Sequence, residues 1–241
     1  MRIIAKLDIK QKDLIKSVMY DGVRKVGCPK KFSKFYYESN LDEIMLINNT
    51  GSLYDTKLDN FLIKEIRKNK AFPISGGGGV SKFSDAIKLI ESGCDKIVIN
   101  TLIHKNSNEA RNLVNNLGSS SVIGAIQVDK INNEFVTLYE MARERTGLSL
   151  SDTIKKYLDL GIGEILITDV NRDGCYVGLN ENFIEILSEF KNEAPLLISG
   201  GFNSCLEIDY FKEVFSGIVI SSALHYKKVN LKNLITHKNK I

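Results

Sequence analysis

Short apolar runs rich in Ile and Val alternate with longer amphipathic stretches along the 241-residue chain. The runs fall at residues 3–7, 43–47, 72–75, 96–100, 122–127, 164–168, 196–199 and 217–220. They are brief and apolar on both faces, as strands of a parallel sheet must be when helices cover both sides. Between them, SKFSDAIKLIESG and SLSDTIKKYLDLG space their apolar residues for a helix. Each offers a Ser or Asp as N-cap and closes on a Gly suited to a left-handed C′ position. Eight β/α units of this size predict an α/β protein, a single (β/α)8 TIM barrel; a doubly wound sheet is the alternative. No polar, Gly-rich or Pro-rich stretch reads as a linker, so residues 1–241 are expected to form one domain.

An internal echo favours the barrel. PISGGGGV at 73–80 returns as PLLISGGFN at 195–203, and DKIVINT at 95–101 returns as SGIVISSAL at 216–224. The run RIIAKLD ends on Asp8, and VIGAIQ ends on Gln127 in the matching place. All three pairs lie about half the chain apart, which implies two half-barrel repeats, about 1–120 and 121–241.

Composition narrows the class. Hydrophobic residues make up 43% and charged residues 26%, with a net charge of +4. The basic residues are scattered, which argues against a nucleic-acid partner. No apolar run approaches the ~20 residues of a membrane helix, and the apolar part of MRIIAKLDIK is too short for a signal peptide. Cys28, Cys94, Cys175 and Cys205 form no CxxC pair, and the three histidines no HxxxH pattern. A cytoplasmic protein with free thiols, no protein-built metal site and no cofactor is expected.

The candidate chemistry sits where strands end. Gly77, Gly78 and Gly79 follow one strand and precede a helix; Gly200 and Gly201 do the same in the second half. Glycine lets the backbone approach a ligand, and the next helix supplies N–H groups. Asn100 and Thr101 end the neighbouring strand of the first half, and Ser221 and Ser222 that of the second. Two such cradles imply a small ligand with phosphates at both ends.

These segments resemble the HisF family, the cyclase subunits of imidazole glycerol phosphate synthase. The resemblance runs from Arg2 to about Leu234 and rests on RIIAKLDIK, ISGGGGVSKFSDA, GCDKIVIN, GIGEILITDVNRDG, LLISGGF and VISSALHY. It implies a HisH-like glutaminase partner at the N-terminal face of the barrel. Ammonia would pass through the interior to a bisphosphorylated ribulosyl ligand at the C-terminal face. Asp8 would be the first acid/base, Lys16 would ride on a mobile loop after the first strand, and Asp173 would serve in the RDG loop. Gly79 and Asn100 would bind one phosphate; Gly200, Gly201 and Ser222 would bind the other. Arg2, Glu43, Lys96 and Glu164 would form a charged ammonia gate at the barrel bottom, with Asp95 at the glutaminase contact.

The departures cluster at the top. Gln127 stands where the family has its second acid/base aspartate, and Asn48 and Asn171 also replace aspartates. An amide cannot exchange a proton at pH 7. Asp129, two residues beyond Gln127, is the only nearby stand-in, and a two-residue step displaces a group by ~6–7 Å. Four readings follow: a cyclase with an altered acid/base set, a paralogue passing ammonia to a sugar amidotransferase step in surface polysaccharide biosynthesis, a non-catalytic phosphometabolite-binding barrel, or an isomerase of a related bisphosphate. The last needs two carboxylates, so Gln127 counts against it.

Overall fold

The structure is a computed structural model and describes residues 1–68, 71–132 and 134–240. Its strands in chain order are β1 (Arg2–Lys10), β2 (Asp13–Val18), β3 (Asp21–Gly27), β4 (Glu43–Asn48), β5 (Ile74–Gly77), β6 (Lys96–Ile99), β7 (Val122–Ile131), β8 (Glu134–Tyr139), β9 (Glu144–Ser149), β10 (Glu164–Asp169), β11 (Leu196–Ser199) and β12 (Gly217–Ile220). Eight of these pair in parallel in the order β1, β4, β5, β6, β7, β10, β11, β12, and β12 pairs with β1 again. The sheet is therefore a closed TIM barrel ringed by helices, as the alternation of runs implies.

Three features differ from the sequence reading. The third strand starts later than residue 72, because the chain enters the sheet only after Pro73, whose ring leaves no N–H for a ladder. It then continues through Gly76 and Gly77, where a Cβ on Gly77 would lie 2.3 Å from the Val98 carbonyl oxygen. The helix Phe83–Ser92 has Lys82 at its N-cap with no capping side chain. Asp85 instead accepts the Ser81 N–H at 3.1 Å from inside the first turn. Finally, β2 with β3 and β8 with β9 are antiparallel hairpins continuing from β1 and β7. Their strands are interrupted by polar and charged residues and so lack the apolar runs that mark the barrel strands.

Side chains alternate between two compartments. A large core of Ile, Leu and Phe packs between the sheet and the helices. Ile4, Met45, Val98, Ile123, Leu166, Leu197 and Val219 fill the interior as one apolar layer. The hairpin tips meet above the barrel mouth, where Tyr20, Leu138 and Met141 pack with Val170. Met19 and Tyr20 both have positive φ, 50° and 63°. That costs energy in any residue but glycine and is held in place by this packing.

Candidate functional site

On β1 the alternate residues Arg2, Ile4, Lys6 and Asp8 climb the barrel axis from bottom to top. Asp8 is fully buried beneath the first hairpin. Lys6 Nζ lies 3.4 Å from its Oδ1, and Lys16 Nζ lies 3.2 Å from its Oδ2. Lys16 also pairs with Asp173 at 2.6 Å. These four side chains are at most 5% exposed, so two cations and two anions form a closed, buried chain. Lys16 sits on β2, which pairs along β1 with Asp8 opposite Ile15.

Burial alone would raise the Asp8 carboxyl, but Lys6 and Lys16 outweigh it and hold the group below its ordinary value. Burial would lower Lys6, yet Asp8 pushes it up strongly. Both members are therefore fixed in their charged forms, and Asp8 is a poor proton carrier at neutral pH.

His225 anchors this strand from the other side. Its Nε2 lies 3.0 Å from the Lys6 carbonyl oxygen, so Nε2 carries the proton; Nδ1 then accepts from the Tyr36 hydroxyl at 2.7 Å. Burial, only partly opposed by Asp8, pushes His225 down to about 4. Between pH 6.5 and 4 the unfolded chain would take up the proton that the folded chain refuses, so this residue removes stability as pH falls through that window. That difference corresponds to about 3 kcal/mol. Glu207, raised by burial to about 7, acts in the opposite sense. A comparison of wild type with His225→Gln isolates the histidine: urea melts at pH 7 and pH 4 are expected to show the variant gaining about 3 kcal/mol on wild type at the lower pH. A pH-independent difference would remove the histidine from this role.

Gln127, at the matching level of β7, serves as a latch. Its Oε1 accepts the Ala142 N–H at 2.7 Å, which pins the tip of the second hairpin and turns the NH2 the other way. Asp129 pairs opposite Val136 in the β7–β8 ladder and is not among the residues that line the cavity holding Gln127.

The two glycine cradles differ. In both, a glycine with positive φ crosses the end of a neighbouring strand: a Cβ on Gly78 would lie 2.2 Å from the Asn48 carbonyl oxygen, and one on Gly200 2.4 Å from that of Asp169. The first opens on a cavity of about 330 Å³ that includes Lys6, Gly79, Asn100, Thr101 and Gln127. The second is a shallower pocket of about 20 Å³, open to solvent, between Asp173, Tyr176, Gly200, Gly201, Ser221 and Ser222. Lys57 reaches the rim of the first cradle, 2.5 Å from the Gly79 carbonyl oxygen and 3.2 Å from Ser81 Oγ.

At the opposite end, the four strand-start charges meet. Arg2 pairs with Glu43 at 3.0 Å and with Glu164, and Lys96 pairs with Glu164 at 2.7 Å. The two glutamates are buried and the two bases partly exposed. Ser75 donates to Glu43 at 2.8 Å, and burial raises the Glu43 carboxyl. Asp95 accepts from Arg67 and from the Ile74 N–H at 2.7 Å. On β6 and β10 the same faces carry Val98 and Leu166 two residues further on, and both line the upper cavity. One apolar layer, ~6–7 Å along the strands, therefore separates ring from cavity.

Residues 2–230 match the family model described as histidine biosynthesis protein. The chain belongs to that family. It is 31% identical over 210 residues to a protein of Legionella pneumophila, covering 87% of this chain and 99% of the relative. It is 29% identical over 237 residues to one of Thermotoga sp. (strain RQ2), covering 97% and 92%, and 30% identical over 243 residues to one of Petrotoga mobilis, covering 100% and 96%. All three relatives are named imidazole glycerol phosphate synthase subunit HisF.

Within this family the departures acquire local reasons. Asn48 donates to Thr56 O and Oγ1 at 3.3 and 3.1 Å, where a carboxylate would oppose a carbonyl oxygen. Its counterpart beneath the other cradle, Asp169, accepts from Asn180 at 2.6 Å, which only partly offsets the burial that raises its carboxyl. Asn171 is exposed on its loop. Sequence reasoning missed Lys6, Tyr20, Lys57, Asp169, Tyr176 and His225. Lys6 left one signal: a charge inside an apolar run, at period 2 from both Arg2 and Asp8.

Proposed function

We propose that this protein is a synthase subunit of the imidazole glycerol phosphate synthase type that takes ammonia from a HisH-like glutaminase docked on the N-terminal face and presents it to a phosphorylated ligand at the C-terminal face. The bottom ring carries this reading. Its four charges are mutually paired, two being the buried glutamates, and lie one apolar layer below a ligand-sized cavity. Neutral ammonia can cross such a layer, whereas ammonium would have to shed its hydration.

The chemistry at the top is the altered part. Asp8 is clamped between two lysines and Gln127 has no proton to exchange, so ring closure of the family's bisphosphorylated substrate is slow here. The same two observations favour, as a second reading, a paralogue that passes ammonia onward to a sugar amidotransferase step in surface polysaccharide biosynthesis.

The test uses the purified protein with a HisH-type glutaminase. Nitrogen incorporation into the ribulosyl bisphosphate is followed with glutamine or with ammonium chloride as source. Lys96→Met is expected to lower the glutamine-driven rate and spare the ammonium-driven one, because only the former uses the ring. Equal rates in variant and wild type with both sources would end the gate assignment.

A further inference from the structure

The structure assigns Tyr36 with His225, and Tyr157 with His104, as two positioning pairs that each tie the cradle loop of one sequence repeat to the strand end of the other. The inference rests on the reading of the top face as a phosphorylated-ligand site and adds the residues that hold its two cradles in place relative to Asp8 and Gln127.

The pairs stand where the repeats meet, at the parallel contacts of β12 with β1 and of β6 with β7. The same number of residues separates Tyr36 from Tyr157 as separates His104 from His225. His104 lies in the short helix Thr101–Lys105, which follows the cradle residue Asn100. His225 ends the short helix Ser222–His225, which follows Ser221. Tyr36 and Tyr157 lie on the helices Pro29–Glu38 and Leu150–Asp159, and both are wholly buried.

The hydrogen bonds join equivalent points in reversed order. Beside β1, the Tyr36 hydroxyl donates to His225 Nδ1 at 2.7 Å, and His225 Nε2 donates to the Lys6 carbonyl at 3.0 Å. The Ser221 hydroxyl lies 3.3 Å from that Nε2. Beside β7, the Tyr157 hydroxyl donates to the Ala125 carbonyl at 3.0 Å. His104 Nε2 lies 3.1 Å from the same hydroxyl, so it carries a proton and donates to the phenol oxygen. Asn100 Nδ2 donates to the Ala125 carbonyl as well, at 2.8 Å. Lys6 and Ala125 each stand two residues before the top-face position, Asp8 or Gln127.

Packing alone would need the ring volumes and not the hydrogen bonds. Here a histidine reaches the strand carbonyl at one junction and a tyrosine at the other, yet both arrangements link cradle loop to strand. Burial pushes both histidines down to about 4, so at neutral pH they are uncharged and act as fixed donors. The consequence is geometric. A ligand held by its phosphate must present its reacting atoms to a strand end within a small tolerance, and the link sets that distance.

The experiment uses the full chain alone, well below its unfolding midpoint and without glutaminase or ammonia, so its outcome is independent of the gate test. Inorganic phosphate is titrated into 15N-labelled protein, with the Thr101 amide reporting one cradle and the Ser222 amide the other. Tyr157→Phe keeps the ring and removes the hydroxyl. It is expected to weaken phosphate at Thr101 about fivefold, roughly the worth of one hydrogen bond, and to leave Ser222 unchanged. Tyr36→Phe is expected to do the reverse. In wild type the amides of Asp8 and Gln127 should shift with phosphate, and each Tyr→Phe variant should lose that response at its own junction. His104→Gln can still donate to Tyr157 and is expected to keep wild-type affinity at Thr101, whereas His104→Leu should lose it. Histidine side-chain spectra at pH 7 are expected to show both rings protonated at Nε2. No phosphate response in wild type would overturn the reading of the top face and this inference with it. A wild-type response that both Tyr→Phe variants leave intact, equal weakening at both cradles by either variant, or a ring protonated at Nδ1 would overturn this inference alone.

Discussion

Asp8→Asn is expected to destabilise the protein by about 3–5 kcal/mol, the usual result of deleting one member of a buried ion pair. The loss comes from what remains. Lys16 keeps Asp173 at 2.6 Å, but Lys6 pairs with no other carboxylate. It is almost wholly buried, and its ammonium would be left beside the Tyr20 ring, 5.7 Å away, with Asp173 acting on it from a greater distance. Thermal or urea unfolding measures the effect, and at ~2–4 °C per kcal/mol for a domain of this size the midpoint should fall by roughly 10 °C. Lys6→Met in the same chain should recover most of the loss, because the stranded charge goes with it. A change below about 1 kcal/mol in Asp8→Asn would mean that water reaches Lys6 and that the ionic chain is open in solution.

The barrel was legible in the sequence because its cause is written along the chain. A strand covered on both faces must be apolar at every position, and a helix that covers it must be apolar on one stripe. Eight such alternations leave few other folds. The bottom ring was named from the family resemblance, and the topology accounts for how its members meet. Arg2, Glu43, Lys96 and Glu164 each open a strand, and parallel strands bring all openings to one end. What escaped was whatever depends on distance across the barrel. Nothing local in IIAKLD tells that the Lys6 side chain folds back toward Asp8. Nothing near Gln127 tells that its oxygen will hold Ala142, fifteen residues on. The inequality of the cradles escaped as well, since PISGGGGV and PLLISGGFN look alike; Tyr176 and the Asp173 loop, not the glycines, set the space beneath the second.

These interactions share a pattern. Asp8 and Gln127 occupy matching strand ends, and so do Asn48 and Asp169. One position of each pair is a carboxylate and the other an amide. Each amide is held by a contact that suits it: Gln127 by a backbone N–H, Asn48 by the Thr56 carbonyl and hydroxyl. Each carboxylate has partners, Asp8 two lysines and Asp169 the Asn180 amide and the Arg172 guanidinium. The top of the barrel thus offers fixed hydrogen bonds and fixed charges, which orient and bind, in place of groups that exchange protons.

That contrast predicts the largest change in rate. With ribulosyl bisphosphate and saturating ammonium chloride, the double variant Lys6→Met with Gln127→Asp is expected to cyclise ~10²–10⁴-fold faster than wild type, the usual worth of general acid–base help. Gln127→Asp supplies a second titratable group at the matching strand end, where the Ala142 N–H can still hold one oxygen. Lys6→Met removes one of the two clamps on Asp8, the one that lines the cavity, leaving only Lys16. Burial then raises the Asp8 carboxyl toward the range where it can trade protons near neutral pH. Either change alone should give less than the product, since one leaves Asp8 clamped and the other leaves position 127 inert. Initial rates of imidazole glycerol phosphate formation for the four proteins decide the matter. A wild-type rate already equal to that of the double variant would show that the clamp and the amide do not limit the chemistry.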